Sequence, residues 1–345
     1  MSKLVIPAVD ALDLSLSRKI QAAIDSKTKP LEALGELEHL AKKIALVQQT
    51  LKPSAEGCRL LLFAADHGVA AAGVSAYPPE VTRQMVLNFL AGGAAANVFS
   101  ANNNVDMTVV DAGVLGEPII DSRLCVRRMG SGTKNFIEQP AMSNAIVKDA
   151  LHAGILLGQE CSESFVAFGE MGIGNTSAAA LLVNKLKGYA LKDIVGHGAG
   201  LNDSGVDRKL ALLTQAAART PPFLEPMAAM HEYGGFEIVM MVGAMIGSAS
   251  CKKCLLIDGY IATAALIVAA ELRPQISDYC IFTHRSAEPG HAIMLDGLGE
   301  SGLLDMHLRL GEGTGAILAW PLVQCATRML SDMASFSSGG VSTKV

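Results

Sequence analysis

Five short apolar runs in this chain share one form, and that form constrains the fold more than any other feature. RLLLFAADHG (59–68), VDMTVVDAGV (105–114), SFVAFGEMGIGN (164–175), CLLIDG (254–259) and YCIFTHRSAEPG (279–290) each end in an acidic, histidine-bearing or glycine-rich segment. An uninterrupted apolar run suits a strand covered on both faces, as in a parallel sheet. Alanine-rich helical stretches lie between the runs, among them VTRQMVLNFLAGGAAANVFSA and FEIVMMVGAMIGSASC. Alternating strand and helix predicts an α/β fold, a doubly wound parallel sheet of Rossmann-like architecture. In such folds ligands sit beyond the carboxyl ends of the strands, so the five polar endings are expected to gather at one site.

The first sixty residues read differently. Pro30 opens PLEALGELEHLAKKIALVQQTL, where Leu37, Leu40, Ile44, Val47 and Leu51 recur at helical spacing until Lys52, Pro53 and Ser54 end the pattern. The expected division is an N-terminal helical segment over 1–58, a large α/β catalytic domain over 59–330 and a flexible Ser/Gly-rich tail over 331–345. A small helical domain would be built from the terminal segments.

Composition narrows the partners. The chain has 345 residues, half of them hydrophobic, enough for a sizeable core. Only 18% are charged, the formal net charge is -5, and no Lys/Arg-rich block invites nucleic acid. MSKLVIPAVDALDLSLSRK carries no apolar run of signal-peptide type. The most hydrophobic stretch, Cys254 to Ala270, is broken by Asp258 and Gly259 and is shorter than the roughly 20 apolar residues of a membrane span. A cytoplasmic protein without a membrane partner is expected. Seven cysteines make an odd count, and the CKKC of Cys251 and Cys254 has no companion pair, which favours free thiols over disulfides or a zinc site.

Three glycine-rich segments carry most of the chemistry. In GEMGIGNTSAAA, Gly169, Gly172 and Gly174 precede Asn175, Thr176 and Ser177 at the start of a helix. Backbone N–H groups turned inward at a helix N-terminus cradle phosphate, and the hydroxyls add donors. The same spacing also describes a turn in which Asn175 or Thr176 caps the helix. No lysine follows as in a nucleotide-triphosphatase loop. In GHGAGLNDSGVDRK, Lys209 is either a point charge for a phosphate or a solvated side chain, and His197 reads as a turn histidine. In LRLGEGTGAILAW, Glu312 stands between Gly311 and Gly313 ahead of an apolar helix. A carboxylate partly withdrawn from water suits a general base near neutral pH, the other reading being a partner for its own helix N-terminus. Asp66, His67, Asp258 and His284 at other strand ends fit either a metal site or ribose hydroxyls.

In order along the chain, ADHGVAAAGVSAYPPEVTRQMV, GEMGIGNTS, GHGAGLNDSG, HEYGGFEI, IDGYIATAAL, THRSAEPGH and LRLGEGTGA resemble the nicotinate-nucleotide–dimethylbenzimidazole phosphoribosyltransferase family, from about Lys29 to about Arg328. One departure is TKPLEALGELE, where the family has a Pro-Gly turn near Leu31 to Ala33. The resemblance implies transfer of the ribose 5-phosphate of nicotinate mononucleotide onto dimethylbenzimidazole, in building the lower ligand of cobalamin, by a homodimer. It implies Glu312 as catalytic base and Glu170 as a second catalytic carboxylate. It implies Ser75 and Gln84 in the segment that lines the benzimidazole pocket; from their place in that segment, Ala76, Tyr77 and Met85 are expected around the flat base. Gly172, Gly174, Lys209 and Ser286 then match positions around the phosphate, Asp258 and Gly259 fall near the ribose phosphate, and Met171, Asn175 and Thr176 are further expected to bind substrate. No metal or cofactor is called for, because no pyrophosphate leaves. The rival readings are a non-catalytic base- or nucleotide-binding protein, a metal-dependent phosphohydrolase using Asp66, His67 and His284, and an oxidoreductase reading Gly311, Gly313 and Ala316 as a dinucleotide motif.

Overall fold

The computed structural model describes residues 4–342. Six strands form one all-parallel sheet: β1 (Cys58–Ala65), β2 (Asp106–Gly113), β3 (Leu124–Val126), β4 (Phe165–Met171), β5 (Cys254–Ile257) and β6 (Cys280–Phe282). Their order is β3-β2-β1-β4-β5-β6. The chain winds outward from β1 to one edge and then returns to build the other half from β4. The switch point lies between β1 and β4, where Phe63 pairs with Glu170 and Ala64 with Met171. All five apolar runs became strands. β3 was not anticipated, because three residues flanked by arginines carry no run to read.

The helices follow in chain order: α1 (Ser17–Asp25), α2 (Glu36–Val47), α3 (Glu80–Ala91), α4 (Ala95–Asn102), α5 (Asn144–Glu160), α6 (Asn175–Lys187) and α7 (Leu191–Ile194). Then come α8 (Asp203–Ala217), α9 (Pro226–Tyr233), α10 (Phe236–Ser250), α11 (Tyr260–Leu272), α12 (Pro289–Leu298), α13 (Thr314–Asp332) and α14 (Phe336–Gly339). No helix among the described residues is long and apolar enough to cross a membrane.

The centre of the molecule is α10, buried from Phe236 through Ala249. It packs on α5 at backbone contact. A Cβ on Gly154 would lie 1.9 Å from the Met240 carbonyl oxygen, and one on Gly247 would lie 2.2 Å from that of Ile155. Glycines one turn apart on both helices let the two backbones interlock where any side chain would hold them apart.

The terminal segments meet as expected, with α2 packed between α1 and α13. Leu40, Ile44 and Val47 are buried, whereas Leu51 lies past the helix end and is exposed. The helix begins at Glu36 rather than at Pro30, because Glu32 (φ 59°) and Gly35 (φ 51°) turn the chain first. Trp320 of α13 packs its ring 5.0 Å from that of Phe165 at 62°, tying this helix to β4. The tail departs from expectation. The helix α13 runs on to Asp332, Thr28 N donates to Ala334 O at 3.0 Å, Phe336 N donates to Ser26 O at 2.9 Å, and Lys27 Nζ donates to Met333 O at 2.6 Å. Backbone pairing with the N-terminal segment holds residues that composition alone reads as frayed; residues 343–345 of the expected tail lie outside the described part.

Candidate active site

Beyond the carboxyl ends of β4, β5 and β6 opens a cavity of about 370 Å³, within the range of small-molecule sites. Three of the five polar strand endings meet there, those after β4, β5 and β6, whereas the endings of β1 and β2 lie outside the lining. Glu170, Met171, Gly172, Gly174, Asn175 and Thr176 line it from β4 and α6; Asp258 and Gly259 from β5; His284 and Ser286 from β6; and Glu312 from the loop before α13. Val74, Tyr77, Val81, Met85 and Leu310 add apolar surface to the lining, beside Ser75.

Glu312 occupies left-handed backbone at φ 62°, between Gly311 at 85° and Gly313 at 75°. A non-glycine residue in that region is strained and is held there by its surroundings. Gly169 permits the arrangement, since a Cβ on it would stand 2.6 Å from the Glu312 carbonyl. The carboxylate does not cap its own helix. Its Oε2 accepts from Ala96 N, in the first turn of α4, at 3.4 Å. Burial pushes its pKa up and Asp258 adds to that, while the Ala96 amide opposes both.

Glu170 is buried at the end of β4, and its Oε2 accepts from Asn175 Nδ2. Burial, then the nearby charges of Asp258 and Glu237, push its pKa to about 8 against the pull of Asn175, with Glu312 adding a little. At neutral pH Glu170 is therefore mostly the neutral acid. Glu170 and Glu312 share the cavity, and burial raises the pKa of both.

Another part of the lining is built from α6 and its neighbours. Gly174 takes φ 99° and starts the helix. Lys209 is 1% exposed, so the solvated reading fails. Its Nζ donates to Thr176 Oγ1 at 2.9 Å and to Gly196 O at 3.3 Å, and it stands behind the wall rather than in it. Burial pushes its pKa down to about 8, opposed by Glu288. Asp258 Oδ1 accepts from Ala316 N at 3.2 Å and faces His284 Nε2 at 3.4 Å. Ser286 N donates to His291 Nδ1 at 2.8 Å, and His291 Nε2 lies 2.9 Å from Thr263 Oγ1. Burial holds the His291 pKa near 3, so this ring is neutral and fixes the Ser286 loop.

Some expectations are corrected. Gln84 is exposed on α3 and does not line the cavity, whereas Met85, about 100° further round the helix, does. Ala76 is exposed and outside the lining as well. Asp66, His67 and His284 do not come together. Asp66 Oδ2 accepts from Leu115 N at 2.6 Å, His67 Nε2 lies 2.5 Å from Glu237 Oε1, and His284 faces Asp258. Among the described residues no group of three or more His, Cys, Asp or Glu side chains is placed to hold a metal ion. Gly311, Gly313 and Ala316 follow irregular chain rather than a strand, so no dinucleotide-binding unit forms around them. His197 is an exposed turn residue with Nδ1 2.8 Å from Leu201 O. Glu288 and Arg309 line the cavity without having been singled out. Both sit in loops whose approach to the cavity depends on folding.

The chain is similar to known proteins in sequence and in fold. A family model described as Phosphoribosyltransferase matches residues 9–341. Nicotinate-nucleotide–dimethylbenzimidazole phosphoribosyltransferase of Dechloromonas aromatica is 51% identical over 96% of this chain and 97% of its own. The enzyme of the same name from Cupriavidus necator is 48% identical over 98% of both chains. The crystal structure of CobT from Thermus thermophilus superimposes with a TM-score of 0.92 at 41% identity, covering 95% of this chain and 99% of that one. With six of the seven motifs lining one cavity and likeness running almost end to end, the chain belongs to the nicotinate-nucleotide–dimethylbenzimidazole phosphoribosyltransferase family.

Proposed function

We propose that this cavity moves the ribose 5-phosphate of nicotinate mononucleotide onto dimethylbenzimidazole, giving α-ribazole phosphate and nicotinate in the synthesis of the cobalamin nucleotide loop. The observation that carries the reading is Glu312, a buried carboxylate with a raised pKa that shares one cavity with the N-terminus of α6.

The leaving nicotinate is a pyridinium at the anomeric carbon, so it departs with the bonding electron pair and needs no proton. One benzimidazole nitrogen forms the new bond to that carbon, and the other ring nitrogen becomes acidic. Glu312 accepts that proton, a contribution of about 10²–10⁴-fold. Neutral Glu170 places no full negative charge beside Glu312. The α6 turn, with Thr176 backed by Lys209, holds the phosphate and so fixes the sugar carbon at attack distance. Asp258 faces the ribose, and Ser286 stands at the phosphate. The apolar side around Tyr77, Val81, Met85 and Leu310 receives the flat base, with Ser75 at its rim. Attack from the face opposite the leaving group inverts the anomeric centre and yields the α product.

The working unit we propose is a homodimer in the cytoplasm, a setting that suits seven free cysteines. Exposed Leu87, Leu115, Ile120 and Val126 support a subunit contact at the β3 side of the sheet. Arg83 Nη1 donates to Glu117 O at 2.6 Å and ties α3 to that side.

The test is to incubate the purified protein with nicotinate mononucleotide and dimethylbenzimidazole and to separate the products by chromatography. Nicotinate release with ribotide formation, abolished in Glu312→Ala, is expected. Binding of the base without ribotide would replace this reading with a binding protein.

A further inference from the structure

The lining of the cavity has an imbalance of charge. Four acidic side chains, Glu170, Asp258, Glu288 and Glu312, face it, and among the described residues the one guanidinium or ammonium group in the lining is that of Arg309. Burial keeps Glu170 protonated to about pH 8, but the remaining wall is still a poor host for a phosphate dianion. The buried ammonium of Lys209 is spent on Thr176 Oγ1 and Gly196 O, so it acts on the cavity through the Thr176 hydroxyl, which is left free to donate its own proton.

Arg309 belongs to the irregular segment between α12 and α13, and it lines the cavity. Its Nη1 donates to Gly198 O at 3.2 Å, its one hydrogen bond among the described residues. Gly198 is itself part of the phosphate corner: a Cβ on it would lie 3.1 Å from Thr176 Oγ1 and 3.4 Å from Lys209 Nζ. The guanidinium is thus parked on a carbonyl beside the groups that cradle the phosphate. A guanidinium has five N–H donors in a planar fork that matches phosphate oxygens, and a neutral carbonyl engages little of that capacity.

We propose that Arg309 is a phosphate-binding residue of this site, exchanging the Gly198 carbonyl for the 5-phosphate of nicotinate mononucleotide and so closing the 305–311 segment over the bound nucleotide. The proposal rests on the functional reading above and adds a residue to it. Closure would place one cation in front of the phosphate while Lys209 and the α6 N-terminus stand behind it. It would also draw Leu310, 59% exposed, over the apolar side where the base enters.

The experiment uses Arg309→Gln and Arg309→Lys in the full chain. Because Arg309 is exposed, neither is expected to alter folding, and unchanged thermal unfolding of the free protein confirms it. Steady-state kinetics with nicotinate mononucleotide should show KM raised roughly 10–100-fold in Arg309→Gln with kcat changed much less, and an intermediate KM in Arg309→Lys. Inorganic phosphate should inhibit the Gln variant correspondingly less, while inhibition by nicotinate, which lacks a phosphate, stays as in the wild type. Unchanged phosphate inhibition would overturn the proposal. So would a loss confined to nicotinate, which would instead assign Arg309 to the pyridine carboxylate. Binding of inorganic phosphate, followed by calorimetry, tests Arg309 without any turnover. If the wild type forms no ribotide, the functional reading fails, while the calorimetric comparison still decides the role of Arg309.

Discussion

His67 Nε2 lies 2.5 Å from Glu237 Oε1, and neither side chain is reached by solvent. The pair joins the end of β1 to the first turn of α10 and lies against the glycine turn, since a Cβ on Gly172 would stand 3.1 Å from Glu237 Oε1 and 3.3 Å from His67 Cδ2. Removing one partner leaves the other buried and unpaired. His67→Ala is expected to cost about 3 kcal/mol or more, read as a lowered urea midpoint.

Glu312 should show itself in a pH profile. Burial raises its pKa above the ordinary carboxylate value of 4.5, and a base acts only when deprotonated. The acidic limb of kcat/KM should therefore fall above pH 4.5. Glu312→Gln should lower kcat about 10²–10⁴-fold and abolish that limb.

Glu170 has a consequence for stability. The folded chain keeps this proton up to about pH 8, whereas the unfolded chain releases it near 4.5. Between those values the folded state binds more protons. Stability from this group is fully present below pH 4.5 and is lost as pH rises through 8, on the order of 1.4 kcal/mol per pH unit. Glu170→Gln should match the wild type in urea unfolding at pH 4.5 and exceed it at pH 8. A wild-type advantage at pH 8 would contradict this.

The α5–α10 interlock should tolerate no side chain. Gly247→Val sets new atoms against the Ile155 carbonyl, which cannot move aside as a side-chain tip would. A loss of about 1–3 kcal/mol is expected from thermal or urea unfolding.

The subunit contact is open to one substitution. Ile120 is 98% exposed, so Ile120→Asp costs the single chain little and should dissociate a dimer joined on that side. Sedimentation velocity at micromolar concentration would then show the monomer.

Continuous apolar runs with polar endings sufficed, from sequence alone, for the parallel sheet and for the end of it that carries the site, because burial on both faces demands that pattern. Glycine-rich turns before helices marked the turn that opens α6 and isolated Glu312, since both need backbone that few other residues adopt. Local spacing carries no distances, and there the tertiary structure decided. It set Glu312 against α4 rather than its own helix, withdrew Lys209 behind Thr176, and turned Gln84 outward while Met85 faces in. It separated Asp66, His67 and His284 into independent polar contacts. It brought Glu288 and Arg309 to the cavity from loops with no periodicity of their own. The protonation of Glu170 likewise arises from burial and from charges on β5, α10 and the loop before α13, none of which is its neighbour in sequence.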